Sequence, residues 1–530
     1  MTSFDYIVIG AGSAGCVMAN RLSENRQNSV LLLEAGGRDL NPFIHIPAGF
    51  FKTLYDTSVN WCYATEKEEG SGNRAIHWPR GKVLGGSSAI NGHLIVRGQP
   101  EDYDGWAQLG NRGWSYEEVL PYFKRFENRA DGDPELRGRG GPIDVIDPIE
   151  QHPLTRLFME ACVEAGIPRN NDYNDGEQEG VGYFQHAIRN GRRESTARSY
   201  LRQTDGRTNL RVETHALAQR LVVEEGRVVG VVFRQGDVVR EARANAEIIL
   251  SSGSIASPQL LELSGIGDGE RLKPLGIEPV HHLPGVGENL QDHYVARICM
   301  KARGIRTFNE RSKGLPLLWE TVRYATTRTG LLTAAPGNVS ASVRIMPGVA
   351  TPDVQYSFAP ASYKDGVISV LDDYPGMTLG FWQHRPESIG SIHIGANDPD
   401  RHPVIRPNYL GTQTDCDTMT GALKLARKIF EQPAIAPYID CETIPGPERT
   451  SDDELLHYCR INGATVYHPI GTCKMGADPM AVVDSSLRLR GLEGLRIVDA
   501  SVMPRMVSAN TNAAVLMIAE KAADMVKAGT

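Results

Sequence analysis

The stretch that decides the fold is Phe4-Asp5-Tyr6-Ile7-Val8-Ile9-Gly10-Ala11-Gly12-Ser13-Ala14-Gly15, in a chain of 530 residues. Its first six residues are a short, mostly apolar run that ends in glycine, which is typical of a buried parallel strand. Helix-forming residues follow from Ala14 to Ser23, and Val30 to Leu33 is a second apolar run. These segments predict a β-α-β unit in which a GxGxxG loop joins the first strand to the helix.

Each glycine of this loop has a separate task in a dinucleotide-binding fold. Gly10 permits the tight turn, Gly12 lets the backbone approach a pyrophosphate, and Gly15 lets helix and strand pack closely. The helix N-terminus offers N–H groups and a partial positive charge to the phosphates. Glu34 ends the second strand, where its carboxylate can accept ribose hydroxyl protons and would repel a 2′-phosphate. NADP is therefore disfavoured, and the position of the loop early in a long chain favours FAD over NAD.

Length, charge and cysteine usage exclude several classes of protein. A chain of 530 residues is too long for one core and should form two or three lobes. The net charge of −8 and the absence of a basic stripe argue against nucleic acid as a partner. The eight cysteines form no CxxC pair, so we predict no metal site. No apolar run can span a bilayer, and Asp5 argues against a signal peptide, so we expect a cytoplasmic protein without a transmembrane segment. Peripheral membrane association and homo-oligomerisation stay open.

The rest of the chain alternates between strand-rich and helical segments. Glycine and proline make residues 80–91 a loop, and a hairpin turn is expected at Gly226-Arg227 inside a strand-rich stretch from Asn209 to Leu250. The further strands predicted from the apolar pattern are Val354–Phe358, Met377–Trp382 and Ser391–Ile394, and the predicted helices are Asp415–Phe430 and Ala513–Val526.

Five motifs, which follow the first strand in a fixed order, resemble those of the glucose-methanol-choline (GMC) oxidoreductase family. Within that family the chain is similar to the bacterial choline dehydrogenase-like alcohol dehydrogenases that act on sorbose, aliphatic alcohols or polyethylene glycol. The motifs are Arg80-Gly81-Lys82-Val83-Leu84-Gly85-Gly86-Ser87-Ser88-Ala89-Ile90-Asn91, Gly253-Ser254-Ile255-Ala256-Ser257-Pro258 through Ser264-Gly265-Ile266-Gly267, Pro284-Gly285-Val286-Gly287-Glu288-Asn289-Leu290-Gln291-Asp292-His293, His468-Pro469 with Gly471-Thr472, and Val498-Asp499-Ala500-Ser501 leading to Asn510-Thr511-Asn512.

The resemblance implies an α/β fold, α+β overall, with a Rossmann-like FAD-binding domain and a substrate domain on an antiparallel sheet. Residues 1–160, 195–297 and 460–530 are assigned to the first domain, and residues 161–194 and 298–459 to the second. Ile90 stands where some relatives carry a histidine that links FAD covalently, so FAD is expected to be bound non-covalently. The residues expected at FAD are Gly10, Gly12, Ser13, Ala14, Gly15, Glu34, Ala35, Val83, Gly86, Ser87, Asn91, Asp499 and Ala500.

The same resemblance implies a catalytic pair, His468 and Asn512. Oxidation of an alcohol needs a base for the hydroxyl proton, and histidine suits this task because its pKa lies near working pH. His468 matches the family's active-site histidine, and Asn512 is expected to hydrogen-bond and orient the substrate oxygen. The helix that follows Asn512 points its N–H groups at negative charge on reduced flavin.

The substrate is expected to be a neutral primary alcohol, oxidised to the aldehyde by hydride transfer to flavin N5. Residues 331–344 contain no acid that would bind a quaternary ammonium group, so choline is disfavoured. Tyr467, Trp382 and Phe358 are candidate pocket aromatics, with ordinary core positions as the alternative for the last two. The electron acceptor is a quinone- or dye-like molecule or O₂, which leaves an oxygen-using alcohol oxidase open. A FAD-containing hydroxynitrile-lyase-like enzyme and an NAD-dependent dehydrogenase are the remaining alternatives.

Overall fold

The computed structural model describes residues 2–364 and 370–529. In these ranges the α-helices are α1 (Ser13–Leu22), α2 (Pro42–His45), α3 (Phe50–Thr53), α4 (Pro100–Gln108), α5 (Tyr116–Phe126), α6 (Pro153–Glu164), α7 (Thr196–Ser199), α8 (Gly253–Leu263), α9 (Gly269–Leu272), α10 (Phe308–Arg311), α11 (Gly314–Thr327), α12 (Gln413–Phe430), α13 (Asp452–Asn462) and α14 (Asn512–Ala528). The strands are β1 (Thr2–Ile9), β2 (Val30–Leu33), β3 (Tyr63–Ala64), β4 (His77–Trp78), β5 (Glu127–Asn128), β6 (Ile143–Ile146), β7 (Gly180–Tyr183), β8 (His186–Arg189), β9 (Arg192–Arg193), β10 (Leu210–Glu213), β11 (Ala216–Glu224), β12 (Arg227–Gln235), β13 (Val238–Leu250), β14 (Ile266–Gly267), β15 (His281–His282), β16 (Tyr294–Ala302), β17 (Val339–Val343), β18 (Val354–Ala359), β19 (Gly376–Gln383), β20 (Ser391–His393), β21 (Val404–Arg406), β22 (Ile439–Ile444), β23 (Ala464–Thr465) and β24 (Leu495–Ile497).

The predicted β-α-β unit forms the centre of the first sheet. Strand β1 lies between β2 and β13 and is parallel to both, and β10 and β24 add parallel strands on either side. The sheet continues with the antiparallel strands β12 and β11. The turn that joins these two strands is Glu225-Gly226, one residue earlier than predicted, and both residues have positive φ, as a type I′ hairpin turn requires.

The second sheet is antiparallel throughout, with the order β22-β16-β19-β18-β17-β7. One of its faces packs against α6 and α12, and on that side Phe358 stacks on Phe158 of α6 with 4.2 Å between ring centroids. Every residue of β19 is buried, because helices cover one face and the other face borders the first lobe. The strands and the helix predicted between residues 354 and 430 are confirmed, with bounds that shift by at most two residues.

The last helix connects the far end of the chain to the first lobe. Helix α14 packs against α1 and α5, and its residues are buried from Ala513 to Ala523. Glu520 on α14 accepts hydrogen bonds from Arg21 of α1 and, at 2.6 Å, from Tyr200. These buried contacts fix the helix, and therefore the position of its first turn.

The α/β fold class is confirmed. The first sheet is built from residues 2–33, 210–250 and 495–497, and the second from residues 180–183 and from strands between 294 and 465. Strand β16 crosses the predicted boundary at residue 297, and the division into domains stays a prediction.

Candidate active site

One continuous cavity of about 390 Å³ runs between the two sheets. At one end it is bordered by the GxGxxG loop and by Glu34, which follows β2. At the other end it is bordered by His468 and by residues of β16, β18 and β19. The residues expected at FAD line this cavity, except Gly15 and Val83.

Two of the three loop glycines occupy positions where a side chain would clash with the backbone, and the third faces open space in the cavity. Gly10 has a φ of +96°, and a Cβ there would lie 2.6 Å from the Ser251 carbonyl oxygen. A Cβ on Gly15 would lie 1.8 Å from the Gly10 carbonyl oxygen, so Gly15 is needed for packing of helix against strand. A Cβ on Gly12 would meet no protein atom closer than 4.0 Å, and Gly12 lines the cavity. The space beside Gly12 is therefore available to a bound pyrophosphate.

Backbone amides hold the two buried carboxylates at the dinucleotide end. Glu34 accepts hydrogen bonds from the N–H groups of Ala11 and Gly36, at 3.0 and 2.8 Å. Burial raises the pKa of Glu34 to about 7, and these two N–H groups oppose the rise. Asp499 accepts from the Gly253 N–H and from the hydroxyl of Ser257, at 2.8 and 2.6 Å, so it ties α8 to the chain after β24.

The loop at residues 80–91 packs against the first loop. A Cβ on Gly86, whose φ is +50°, would lie 2.6 Å from the Cα of Gly12. Asn91 accepts a hydrogen bond from buried Arg193 through its Oδ1, at 2.8 Å, and its Nδ2 makes no hydrogen bond with a described residue. Ile90 lines the cavity. Val83 is placed differently from expectation, because its side chain is fully buried in a small apolar cluster with Ile44, Val59, Ala89 and Ile90.

Two neighbours fix the backbone that carries His468. The Oδ1 atom of Asp292 accepts a hydrogen bond from the His468 N–H at 2.8 Å, and Oδ2 accepts from the hydroxyls of Thr465 (2.6 Å) and Tyr409. Tyr467 has a φ of +69°, a left-handed conformation that is strained for a residue with a large side chain. This bend directs His468 into the cavity, which Tyr467 and His468 both line.

A chain of hydrogen bonds fixes the tautomer of the His468 ring. The carbonyl oxygen of His384 can only accept, so Nε2 of His293, 2.8 Å away, carries a proton and donates it. Nδ1 of neutral His293 is then an acceptor, and Nδ1 of His468, 2.9 Å away, donates to it. The Nε2 atom of neutral His468 therefore carries no proton, and its lone pair acts as an acceptor.

Burial keeps both rings neutral. It lowers the pKa of His468 well below 6.5, and the positive charge of Arg80 lowers it further. Burial also lowers the pKa of His293 to about 4. A neutral imidazole with an unprotonated Nε2 is the form that accepts a proton.

Asn510, and not Asn512, lies beside His468. The Nδ2 atom of Asn510 donates to Nε2 of His468 at 3.2 Å. Asn512 is the first residue of α14, and its Oδ1 accepts a hydrogen bond from the Ser13 hydroxyl at 2.7 Å. The expected pairing is displaced by two residues, because the helix begins at Asn512 and turns this side chain toward the first glycine loop.

The candidate pocket aromatics divide between the two faces of the second sheet. Trp382 and Tyr467 line the cavity, and Trp382 Nε1 is buried without a partner among the described residues. Phe358 does not line it, since it lies in the core on the face that packs against α6. Of residues 331–344, only Pro336 borders the cavity.

Sequence reasoning assigned no role to Asp292, His293 and Arg193. The first two were present in the quoted motif that ends in Asp292-His293, but nothing in their spacing shows that they contact a histidine about 175 residues later. Arg193, which orients Asn91, carries no motif signal at all.

The described residues contain neither a cluster of metal-binding side chains nor a helix that could span a membrane. Within residues 2–364 and 370–529, no group of three or more His, Cys, Asp or Glu side chains is arranged to hold a metal ion. None of the helices in these ranges is both long and apolar enough to cross a bilayer.

Comparisons with known proteins identify the family of this chain. Two family models described as GMC oxidoreductase match residues 4–295 and 386–519. Mitochondrial choline dehydrogenase of Homo sapiens is 42% identical over 99% of this chain and 90% of its own length. Alcohol dehydrogenase [acceptor] of Pseudomonas putida is 40% identical over 99% of this chain and 95% of its own length. The crystal structure of pyridoxine 4-oxidase from Mesorbium loti is 33% identical, covers 98% of both chains and superposes with a TM-score of 0.89.

The fold and the site together define a flavin-dependent oxidoreductase that acts on CH–OH donors. The chain belongs to the GMC oxidoreductase family, and its cofactor is FAD. The residues present fit this cofactor, because the cavity leaves space at Gly12 and offers the unused Nδ2 donor of Asn91.

Proposed function

We propose that this enzyme oxidises a primary alcohol to the aldehyde, with His468 as the base that accepts the hydroxyl proton. The observation that carries the proposal is the hydrogen-bond chain from the His384 carbonyl through His293, which leaves Nε2 of His468 as an acceptor at the cavity. General base catalysis by a well-placed side chain contributes about 10²–10⁴-fold to a rate.

The residues of the chain have distinct tasks in this reaction. A substrate hydroxyl that enters between His468 and Asn510 donates its proton to Nε2 of His468. Asn510 Nδ2 then donates to the substrate oxygen and orients the carbon that loses hydride. FAD, when bound, supplies the acceptor for that hydride at N5. Nδ1 of His468 keeps its proton and its bond to His293, so the imidazolium that forms remains held in place.

Anaerobic addition of alcohols to the purified enzyme tests the proposal. Bleaching of the oxidised flavin absorbance by a primary alcohol, with release of the aldehyde, is the expected result. A lyase of the same fold, the alternative function, would split a cyanohydrin without bleaching. If no alcohol in a broad panel bleaches the flavin, the proposed oxidation is wrong.

The electron acceptor is proposed to be a quinone- or dye-like molecule, with O₂ as the alternative. Reoxidation of the alcohol-reduced enzyme separates the two, because an oxidase recovers its yellow colour in air at the rate of turnover. The expected compartment is the cytoplasm, and peripheral association with a membrane that holds quinone stays open.

FAD is proposed to be bound without a covalent bond, since the side chain before Asn91 is that of Ile90, which has no nucleophile. Acid precipitation should leave the flavin in the supernatant. A yellow pellet would contradict this prediction.

A further inference from the structure

One face of the antiparallel sheet forms a wall of the cavity. Side chains alternate along a strand, so Val295 and Arg297 of β16 point to the same face, and both line the cavity. Thr378, Gly380 and Trp382 of β19 line it in the same way. Arg297 is the only one of these five that carries a charge.

Gly380 gives the Arg297 side chain room. The two residues are direct partners across the β16–β19 pair. A Cβ on Gly380 would lie 3.4 Å from Cγ2 of Val295 and 4.0 Å from Cγ of Arg297. The absence of a side chain at Gly380 therefore leaves a recess in the wall next to the arginine.

Arg297 has no anionic partner among the described residues. Its side chain makes no salt bridge or hydrogen bond with any residue in ranges 2–364 and 370–529, although its backbone carbonyl accepts from Tyr458. Three acidic residues line the described part of the cavity, and none of them forms an ion pair with Arg297. Glu34 and Asp499 are held by backbone amides at the dinucleotide end, and Asp400 pairs with Arg234 at 2.5 Å.

The charge of Arg297 acts at the end of the cavity where His468 lies. Burial raises the pKa of Tyr467, the neighbour of His468, to about 12, and the Arg297 charge opposes that rise. The same two influences act on Tyr363, whose pKa burial raises to about 12. The guanidinium is therefore close to two phenols that line the cavity.

A second guanidinium reinforces this positive region. Arg80 lines the same cavity, and its Nε and Nη2 atoms are buried without a partner among the described residues. The negative charge of buried Asp292 acts on Arg80, but these two nitrogens remain available as donors, and a bidentate carboxylate is a strong acceptor for a guanidinium.

We propose that Arg297 binds a carboxylate on the substrate, so that the preferred substrates are alcohols that carry a carboxylate group. This inference rests on the proposed alcohol oxidation and narrows its substrate class. Neutral alcohols are then oxidised less efficiently, and alcohols with a quaternary ammonium group, such as choline, are repelled.

Matched substrates test this specificity. The 3- and 4-(hydroxymethyl)benzoates and the corresponding neutral (hydroxymethyl)benzamides have nearly the same shape and differ in charge. In anaerobic stopped-flow experiments, we expect the better benzoate to have a kcat/KM for flavin reduction about 10- to 100-fold above its amide, the range of a charge-assisted hydrogen-bonded pair. Arg297→Gln should remove this preference by lowering kcat/KM for the benzoates toward that for the benzamides, and Arg297→Lys should restore part of it.

Lys301→Gln is the matched control. Lys301 lies on the same strand, its substitution removes the same charge, and its side chain pairs with Asp440 at 2.7 Å outside the cavity lining. We expect this variant to keep the preference for benzoate. An equal loss in Lys301→Gln and Arg297→Gln would show that only the overall charge matters and would overturn the proposal, as would equal efficiency of benzoates and benzamides in the wild type.

A binding measurement separates this inference from the proposed oxidation. The 3- and 4-methylbenzoates have no hydroxyl group, so their binding to the FAD enzyme, followed by the change in flavin absorbance, does not depend on turnover. We expect tighter binding than for the methylbenzamides in the wild type and no difference in Arg297→Gln. If the methylbenzoates bind in this way but no alcohol reduces the flavin, the oxidation is wrong and the carboxylate site stands. If alcohols reduce the flavin and methylbenzoates bind no better than methylbenzamides, the carboxylate site is wrong.

Discussion

The two ends of the cavity satisfy their polar groups in different ways. At the dinucleotide end, carboxylates are held by backbone N–H groups, as in the bonds from Ala11 and Gly36 to Glu34. At the reaction end, side chains hold other side chains across long stretches of sequence, as in the bond from His468 to His293. Polar atoms there also lack partners among the described residues, including Trp382 Nε1 and two nitrogens of Arg80.

This difference reflects the separate tasks of the two ends, which are cofactor binding and catalysis. A cofactor that stays bound is served by rigid backbone geometry, which a glycine pattern encodes locally. A substrate that enters and leaves needs side-chain groups whose hydrogen bonds are completed only when it is present. Substitutions at the first end should therefore reduce FAD content, whereas those at the second should reduce rates and leave FAD bound.

The largest effect is expected for His468→Ala, at the reaction end. Loss of the base should slow flavin reduction by about 10²–10⁴-fold, while the flavin absorbance of the purified protein stays at the wild-type level. Stopped-flow reduction and FAD content measure the two quantities. A variant that reduces its FAD within a few-fold of the wild-type rate would require another base and would remove the proposed contrast between the two ends.

Glu34→Ala should have the next largest effect, at the dinucleotide end. If its carboxylate holds the adenosine ribose, the Kd for FAD should rise about 10- to 100-fold, since hydrogen bonds to a charged group are worth about 1.5–3 kcal/mol. The change in FAD affinity is measured by the FAD content after dialysis and by titration of the apoprotein with FAD. Glu213→Ala is the control, because Glu213 ends the neighbouring strand β10 but is partly exposed and bonds Arg211 and Gln235. FAD affinity that falls equally in both variants would contradict the ribose assignment.

His293→Leu tests the hydrogen-bond chain behind the base. Without the His293 acceptor, the proton of neutral His468 is no longer held on Nδ1. A lost hydrogen bond is worth about 0.5–1.5 kcal/mol, so we expect the rate of flavin reduction to fall roughly tenfold. In the wild type, reduction depends on neutral His468, whose pKa lies well below 6.5, so the rate should be level above pH 6.5 and fall only as pH drops through that lower value.

The pH profile separates positioning from simple destabilisation. Burial is the main cause of the low pKa of His468. Neutral His293 accepts the hydrogen bond from Nδ1–H of His468, and that bond is stronger when His468 is protonated. Without His293 the pKa of His468 should therefore fall further, so the decline in rate should begin at a lower pH than in the wild type. A slower variant with an unchanged pH profile would show that His293 only supports the fold.

The same contrast between the two ends explains how much of the fold and of the candidate site could be predicted from the sequence alone. Strand β2, the helix after the first loop and the roles of Gly10 and Gly15 are local and were correctly predicted, because each depends on neighbours within a few residues or on backbone sterics. The reaction end depends on contacts between residues 91 to 176 positions apart, such as those of His293 with His384 and of Asp292 with His468. Phe358 shows a related limit, since strand alternation alone does not say which face meets the cavity.

The smallest expected effect distinguishes two asparagines that lie two positions apart. Asn510→Ala should slow flavin reduction about three- to tenfold with FAD content unchanged, because Nδ2 of Asn510 is the group 3.2 Å from Nε2 of His468 and a neutral hydrogen bond is worth about 0.5–1.5 kcal/mol. Asn512→Ala is the matched control: it removes the same amide, whose oxygen accepts from Ser13 of the first glycine loop. We expect it to weaken FAD binding slightly and to leave the rate constant for reduction in the FAD-loaded fraction unchanged. Stopped-flow reduction, normalised to bound FAD, gives the comparison. If Asn512→Ala were the slower enzyme with full FAD, the substrate oxygen would be held from the first turn of α14, and the assignment of Asn510 to the reaction end would be wrong.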